Sequence, residues 1–124
     1  MEFGYTIIYV ADVEKTLNFY QRAFTLKINC LHESKQYGEL ATGTTKLAFV
    51  ALELAETNGI EFVRNEIDKL PAGFEIALIT NDVVTAYKKA IAAGAIAVKK
   101  PLQKPWGQLV AYVRDLNGIL VELG

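Results

Sequence analysis

The stretch "FGYTIIYVADVEKTLNFYQRAF" at residues 3–24 is nearly repeated by "GFEIALITNDVVTAYKKAIAAG" at residues 73–94. When the two are superposed, Asp12 aligns with Asp82. In both copies an apolar run precedes the aspartate, and apolar residues follow it at spacings of three and four. These features predict a strand, a helix N-cap and an amphipathic helix, in that order, twice.

The first copy predicts a strand over residues 5–10, buried on both faces. The helix after Asp12 has the apolar stripe Val13, Leu17, Tyr20 and Phe24. The helix after Asp82 has the stripe Val83, Tyr87, Ala90 and Ile91. Gly94 is predicted to end this second helix in a left-handed conformation.

Three further strands follow each helix. The residue pattern predicts them near 26–32, 37–42, 45–53, 96–100, 107–114 and 118–123. "YGEL" at 37–40 is the sequence counterpart of "WGQL" at 106–109. "DLNG" at 115–118 predicts a hairpin turn in which Asn117 and Gly118 take positive φ.

Each half therefore reads βαβββ, and the fold class is α+β. We expect one domain over residues 1–124, made of modules 1–54 and 73–124 with a connector over 55–72. Within the connector, "IEFVRNEIDKL" predicts either a short helix or a covering flap. A helix covers one face of each small mixed sheet, so the paired modules should form a curved, partly open sheet around a cavity.

Composition excludes several kinds of partner. Hydrophobic residues make up 52% of the 124 residues, which is too apolar for disorder. The net charge of −1 provides no footprint for nucleic acid or an anionic membrane. The single cysteine, Cys30, excludes an internal disulfide, and no apolar run is long enough to span a bilayer. We expect a cytoplasmic protein.

With this repeat, "YVADVEKTLNFYQRAFTLKI" at 9–28 and "KPWGQLVAYVRDLNGILVELG" at 104–124 make the chain resemble the vicinal oxygen chelate superfamily. That superfamily includes glyoxalases, extradiol dioxygenases, epimerases, fosfomycin-resistance enzymes and bleomycin-binding resistance proteins. The resemblance covers essentially the whole chain and implies a small-molecule site and a homodimer. It does not identify the chemistry, because members of one fold differ in a few cavity residues.

The resemblance places metal ligands on the first and last strand of each half. The corresponding residues are Tyr5, Phe49, Glu75 and Glu122. Only Glu122 matches the family pattern, since neutral tyrosine is a poor ligand and phenylalanine cannot coordinate. Two carboxylates alone would hold at most a weakly bound, water-rich Mg²⁺ or Mn²⁺. We therefore predict no metal site and no other cofactor.

Glu75 and Glu122 are the catalytic candidates, because both stand in apolar strand runs. One interpretation is structural, with the backbone or a partner such as Tyr5 satisfying each carboxylate. The other places the two carboxylates face to face, where repulsion raises one pKa. Such a pair could bind a cationic ligand or act as general acid and base.

The ligand-binding candidates are Tyr5, Ile7, Tyr9, His32, Tyr37, Phe49, Trp106 and Gln108. Strand alternation puts Tyr5, Ile7 and Tyr9 on one face, which either lines the cavity or belongs to the core. Trp106 either stacks on a planar ligand or merely packs, and Gln108 could supply one oriented hydrogen bond. His32 is either solvated or at the cavity rim, oriented by Glu33 or Tyr37.

Two functions remain open. In the first, the protein binds a planar or amphipathic organic molecule without metal and sequesters it, as bleomycin-resistance proteins do. In the second, it is a glyoxalase-like lyase or isomerase of the lactoylglutathione lyase type, using Glu75 and Glu122 with a weakly bound divalent metal or proton transfer alone. Missing metal ligands and abundant aromatic residues favour the first. A ferredoxin-like RNA-binding fold disagrees with the neutral charge and the β-rich end of each half.

Overall fold

A computed structural model describes all 124 residues of the chain. The chain forms two compact units. Unit 1 comprises residues 1–21 and 25–64, and unit 2 comprises residues 22–24 and 65–124. The expectation of a single domain with modules 1–54 and 73–124 stays a prediction.

Unit 1 contains one four-stranded mixed sheet. Its strands are β1 (Tyr5–Val10), β2 (Ile28–Leu31), β3 (Tyr37–Leu40) and β4 (Lys46–Ala51). It also contains the helix α2 (Leu52–Glu56) and all but the last turn of the helix α1 (Val13–Phe24). The strand order is β1-β4-β3-β2. β1 runs parallel to β4, and the other neighbours are antiparallel.

The helix α1 packs on one face of this sheet. Its stripe residues Val13, Leu17 and Tyr20 are buried, and the Tyr20 ring lies 5.1 Å from the Phe49 ring, centroid to centroid. Gly38 on β3 allows the close approach, because a Cβ there would meet Leu17 Cδ1 at 2.5 Å. A core therefore forms between α1 and this face.

Unit 2 repeats the topology with β5 (Ile76–Leu78), α3 (Val83–Ala92), β6 (Ile96–Gln103), β7 (Leu109–Arg114) and β8 (Leu120–Leu123). The strand order is β5-β8-β7-β6, and β5 runs parallel to β8. α3 packs on β6, β7 and β8, and Val83 and Ala90 are its buried residues. The predicted βαβββ repeat and the α+β fold class are confirmed.

Both predicted helix caps are present. Asp12 Oδ1 accepts a hydrogen bond from the Lys15 amide at 2.9 Å, and Asp82 Oδ1 accepts one from the Thr85 amide at 3.0 Å. The bond from the Thr85 amide lowers the pKa of Asp82. Gly94 follows α3 with φ of +106°, as predicted. No helix in the chain is both long and apolar enough to cross a bilayer.

One prediction about local structure is wrong, and one of two alternatives for the connector is excluded. β1 is buried on one face only, because Tyr5 and Ile7 on its other face are exposed. Residues 60–70 form no helix, so the short helix is excluded and the covering flap stays a prediction. The Arg114 guanidinium donates hydrogen bonds to the carbonyls of Glu66, Ile67 and Lys69 and ties this non-helical part of the connector to β7.

The turn between β7 and β8 differs from the prediction at one residue. Gly118 has φ of +85°, but Asn117 does not take positive φ. The buried Asp115 shapes the turn, because its Oδ1 accepts hydrogen bonds from the amides of Asn117 at 2.8 Å and Ile119 at 2.9 Å. An aspartate that bonds amides further along the chain supports a turn with one positive φ.

Gly118→Ala should destabilise the protein more than Gly43→Ala, although both glycines have positive φ. A Cβ at Gly43 would meet nothing within 4 Å, whereas at Gly118 it would come within 2.8 Å of the Glu66 carbonyl oxygen. We expect a loss of about 1–2 kcal/mol at Gly43 from backbone strain, and about 1–3 kcal/mol more at Gly118 from overlap. Urea unfolding measures both, and equal losses would contradict the crowding at Gly118.

Candidate functional site

Each sheet has a face that its helix leaves open. In unit 1 this open face carries Tyr5, Ile7 and Tyr9 of β1, since the neighbouring residues Ile8 and Val10 are buried. The Tyr9 ring meets Phe62 edge to face, with centroids 4.8 Å apart. That the open face of β1 contacts a ligand stays a prediction.

The open face of unit 1 also carries a tyrosine–glutamate pair. Tyr37 Oη donates a hydrogen bond to Glu39 Oε2 at 2.6 Å. Asn29 Nδ2 donates to Glu39 Oε1 at 3.0 Å, and Lys46 Nζ lies 3.5 Å from that oxygen. Glu39 is only 7% exposed, and all of its charge is satisfied inside the unit.

These contacts shift the pKa values of both Tyr37 and Glu39. Burial, followed by the bond to Glu39, raises the pKa of Tyr37. The hydrogen bond from Tyr37 lowers the pKa of Glu39. Glu39 was not among the sequence candidates, although strand alternation over "YGEL" places it on the same face as Tyr37.

Unit 2 carries a second tyrosine–glutamate pair on its open face. Tyr112 on β7 lies directly opposite Glu122 on β8, and its Oη donates to Glu122 Oε2 at 2.6 Å. This bond, followed by burial, raises the pKa of Tyr112 to about 12. The Glu122 Oε1 atom forms no hydrogen bond. Glu122 is therefore half-satisfied, and its partner is Tyr112.

Glu75 lies on the same side as this pair. It directly precedes β5, whose Ala77 pairs with Glu122, and its charge contributes to the raised pKa of Tyr112. Glu75 is exposed and forms no hydrogen bond, so the interpretation in which the backbone or a partner satisfies this carboxylate is wrong.

The strand register corrects one counterpart. In unit 1 Ile7 pairs with Ala48, and in unit 2 Ala77 pairs with Glu122. The unit 1 counterpart of Glu122 is therefore Ala48 and not Phe49. Phe49 is fully buried on the opposite face against Tyr20, so in this conformation it offers no surface to a ligand.

Trp106 and Gln108 lie in the turn between β6 and β7. The Lys104 amide donates to the Gln108 carbonyl at 2.7 Å, and the Gly107 amide donates to the Lys104 carbonyl at 2.8 Å. Trp106 is 72% exposed, and its Nε1 donates to Gln108 Oε1 at 3.1 Å. "WGQL" therefore lies mostly in a turn, while its sequence counterpart "YGEL" is strand β3, so the two are not structural counterparts.

His32 is exposed beside the turn between β2 and β3. Its Nδ1 lies 2.7 Å from Ser34 Oγ and accepts a hydrogen bond from the Ser34 amide at 3.1 Å. Its partner is thus Ser34, and neither Glu33 nor Tyr37 orients it. The solvated alternative fits this placement.

The donor atoms do not fit a tightly bound transition metal. No three His, Cys, Asp or Glu side chains lie close enough together to hold an ion. In unit 2 the positions on the first and last strands provide Glu75 and Glu122, one of whose oxygens binds Tyr112. In unit 1 they provide Tyr5 and Ala48, and alanine has no donor atom.

Comparison with known proteins identifies the family of the chain. The sequence model of the Glyoxalase/Bleomycin resistance protein/Dioxygenase superfamily matches residues 2–123. No curated protein matches the chain significantly in sequence.

Solved structures with the same fold include three from this superfamily. A glyoxalase-related enzyme from Fulvimarina pelagi is 17% identical with a TM-score of 0.84, covering 99% of this chain and 86% of that one. A family enzyme from Burkholderia phytofirmans PsJN is 22% identical with a TM-score of 0.80, covering 99% and 97%. A superfamily member from Sphaerobacter thermophilus DSM 20745 is 25% identical with a TM-score of 0.69, covering 99% and 95%.

Glu122→Gln should lower the pKa of Tyr112 from about 12 towards the ordinary value of 10.0, because the charged acceptor is removed. Since folding raises this pKa, the pair should stabilise the protein fully below pH 10, and this stabilisation should disappear between pH 10 and about 12. NMR titration of tyrosine Cζ signals measures the shift, with Tyr112→Phe identifying the signal. Glu39→Gln is the matched control and should leave Tyr112 unchanged. A Tyr112 that titrates at 10 in the wild type would contradict the bond.

Proposed function

Since the chain belongs to the glyoxalase/bleomycin resistance protein/dioxygenase superfamily, we propose that it binds a small planar or amphipathic organic molecule and sequesters it without a bound metal. The proposal depends most on one observation: Trp106 is exposed close to the Tyr112–Glu122 pair. We call the open face of unit 2 that carries these residues the Tyr112 face.

An aromatic plane beside oriented polar groups is a common way to hold a small molecule. The Trp106 ring offers an apolar surface for stacking, while Gln108 keeps its indole N–H satisfied and fixes the ring. Glu122 Oε1 is available as a hydrogen-bond acceptor. Few polar groups on an otherwise apolar surface give a ligand orientation and specificity.

The chemistry of the donor atoms supports binding without a metal. Ala48 occupies the unit 1 position that corresponds to Glu122, so unit 1 provides no carboxylate there. In unit 2, Tyr112 already donates a hydrogen bond to one oxygen of Glu122. A divalent ion that activates a substrate needs three or four protein ligands and an open coordination position. Glu75 and Glu122 alone would leave most of its shell to water.

Metal addition tests this part of the proposal. Chelator-treated protein should keep its thermal midpoint when Zn²⁺, Ni²⁺, Mn²⁺ or Fe²⁺ is added, because two carboxylates are too few ligands for tight binding. A tight site would instead stabilise the fold by about 4 kcal/mol at a thousandfold excess over its dissociation constant. Elemental analysis of protein purified without chelator is the companion measurement. Stoichiometric metal would overturn the proposal.

Binding of planar compounds tests the other part. Calorimetry against planar drug-like and thiol-conjugate compounds should find a ligand, and Trp106→Ala should weaken it about tenfold through lost stacking. Trp106→Phe should keep most of the affinity, and Val84→Ala, exposed on α3, is the control. If no compound in the panel binds, or if Trp106→Ala leaves the affinity of a bound compound unchanged, the Tyr112 face is not the binding site proposed here.

Catalysis is the second candidate function, favoured by the free oxygen of Glu122. In an isomerase reaction without metal, the Glu122 carboxylate would take the proton from a hydroxyl-bearing carbon next to a carbonyl, which gives an enediolate. It would return that proton to the former carbonyl carbon, while the hydroxyl proton passes to the former carbonyl oxygen. Glu75 would contribute a second carboxylate on the same face. Product formation from a thiol-conjugate substrate by the wild type, and its loss in Glu122→Gln, would favour this function. If the wild type forms no product, binding is the only candidate function that is left.

The expected homodimer and cytoplasmic location stay predictions. Light scattering and cell fractionation would test them, and a monomeric mass or a membrane or extracellular fraction would contradict them.

A further inference from the structure

Lys104 is the only half-buried lysine without a counter-ion. Lys46 and Lys104 are half-buried, and the remaining lysines are exposed. Lys46 Nζ lies 3.5 Å from Glu39 Oε1, whereas Lys104 forms no salt bridge and its Nζ forms no hydrogen bond. An ammonium group carries three donors, and Lys104 uses none of them within the chain. This charge is therefore ready for an anion from outside the chain.

Two aromatic rings hold the Lys104 ammonium. Its Nζ lies 5.8 Å from the Trp106 ring centroid and 5.5 Å from the Tyr112 ring centroid. Such cation–π contacts stabilise a charge by about 0.5–2 kcal/mol. They leave N–H donors available to an acceptor, so the rings position the ammonium without satisfying it.

The backbone at Lys104 is also fixed. The Lys104 amide and carbonyl both bond within the turn, to the Gln108 carbonyl and the Gly107 amide. Gln103 Nε2 donates to the Gly107 carbonyl at 3.1 Å and adds a further tie. A preorganised donor loses less entropy when a ligand binds.

The nearby carboxylate of Glu122 forms no salt bridge with Lys104. Glu122 accepts its hydrogen bond from the hydroxyl end of Tyr112, whereas Lys104 lies against the ring of the same residue. The tyrosine thus contacts a negative group and a positive group that do not neutralise each other. A ligand anion at Lys104 would find Trp106 as the exposed plane beside it.

We propose that Lys104 recognises the carboxylate of an aromatic acid whose ring stacks on Trp106. The proposal rests on the proposed function of the Tyr112 face and narrows its ligand from planar organic molecules to planar organic anions. The Lys104 ammonium would donate charge-assisted hydrogen bonds to the acid, which are stronger than neutral ones. The Trp106 ring would supply the apolar surface on which the aromatic ring of the acid stacks.

The test compares a matched pair of probes, 4-nitrobenzoate and the uncharged 4-nitrobenzamide. Trp106 is the only tryptophan, so its indole N–H signal in a ¹H–¹⁵N spectrum reports binding at this turn directly. We expect the carboxylate to bind at least about tenfold more tightly than the amide. Lys104→Met should abolish this preference, and Lys104→Arg should keep it. Lys88→Met, which removes an exposed charge on α3, should leave it unchanged.

The outcomes separate this inference from the proposed function. Equal binding of the two probes to the wild type, or a preference that survives Lys104→Met, would overturn the role of Lys104 while leaving a planar-ligand site in place. Failure of both probes would also overturn it, and the compound panel would then decide the proposed function independently. Dispersed backbone signals in each variant exclude unfolding as the cause.

Discussion

The parallel pairing of the first and last strands of each repeat is the constraint on which the rest of the structure depends. β1 pairs with β4, and β5 pairs with β8. A parallel pair requires the intervening chain to cross over the sheet, and α1 and α3 are the helices of these crossovers. Each helix covers one face and provides its core, so the opposite face is left for polar and aromatic side chains.

The two open faces carry the same kind of pair with different consequences. In unit 1 the tyrosine and glutamate are two residues apart on β3, and Asn29 and Lys46 complete the environment of Glu39. In unit 2 the pair spans β7 and β8, and nothing completes Glu122. A satisfied carboxylate stabilises a sheet, whereas a half-satisfied one beside an unpaired lysine retains binding capacity. The two units share one topology, and their side chains make the two open faces chemically different.

This difference also underlies the proposal that the face binds an organic ligand and not a transition ion. An ion requires several donor atoms that converge on one point, and alanine at position 48 and tyrosine at position 5 remove them from unit 1. A planar molecule requires an exposed ring and a few oriented hydrogen-bonding groups. Trp106, Lys104 and Glu122 provide these within one unit.

Much of the fold could be predicted because its signals are local. Both N-caps, both amphipathic helices and the succession of strands along the chain follow from residues that are close together in the sequence. The site was less predictable. The sequence pattern does not indicate Glu39 as a site residue. It indicates Phe49 as the unit 1 counterpart of Glu122, whereas the strand register gives Ala48. It also aligns Trp106 with Tyr37, although Trp106 lies in a turn and Tyr37 lies in a strand.

The sequence by itself determined that this protein contains two βαβββ units, since periodicity and capping depend on side chains a few residues apart. Only the tertiary structure decided which side chains meet. Turn lengths and bulges set the register between strands, and a shift of one residue turns a side chain from the open face to the core. For that reason the partner of Glu122 is Tyr112, and Lys104 has no counter-ion.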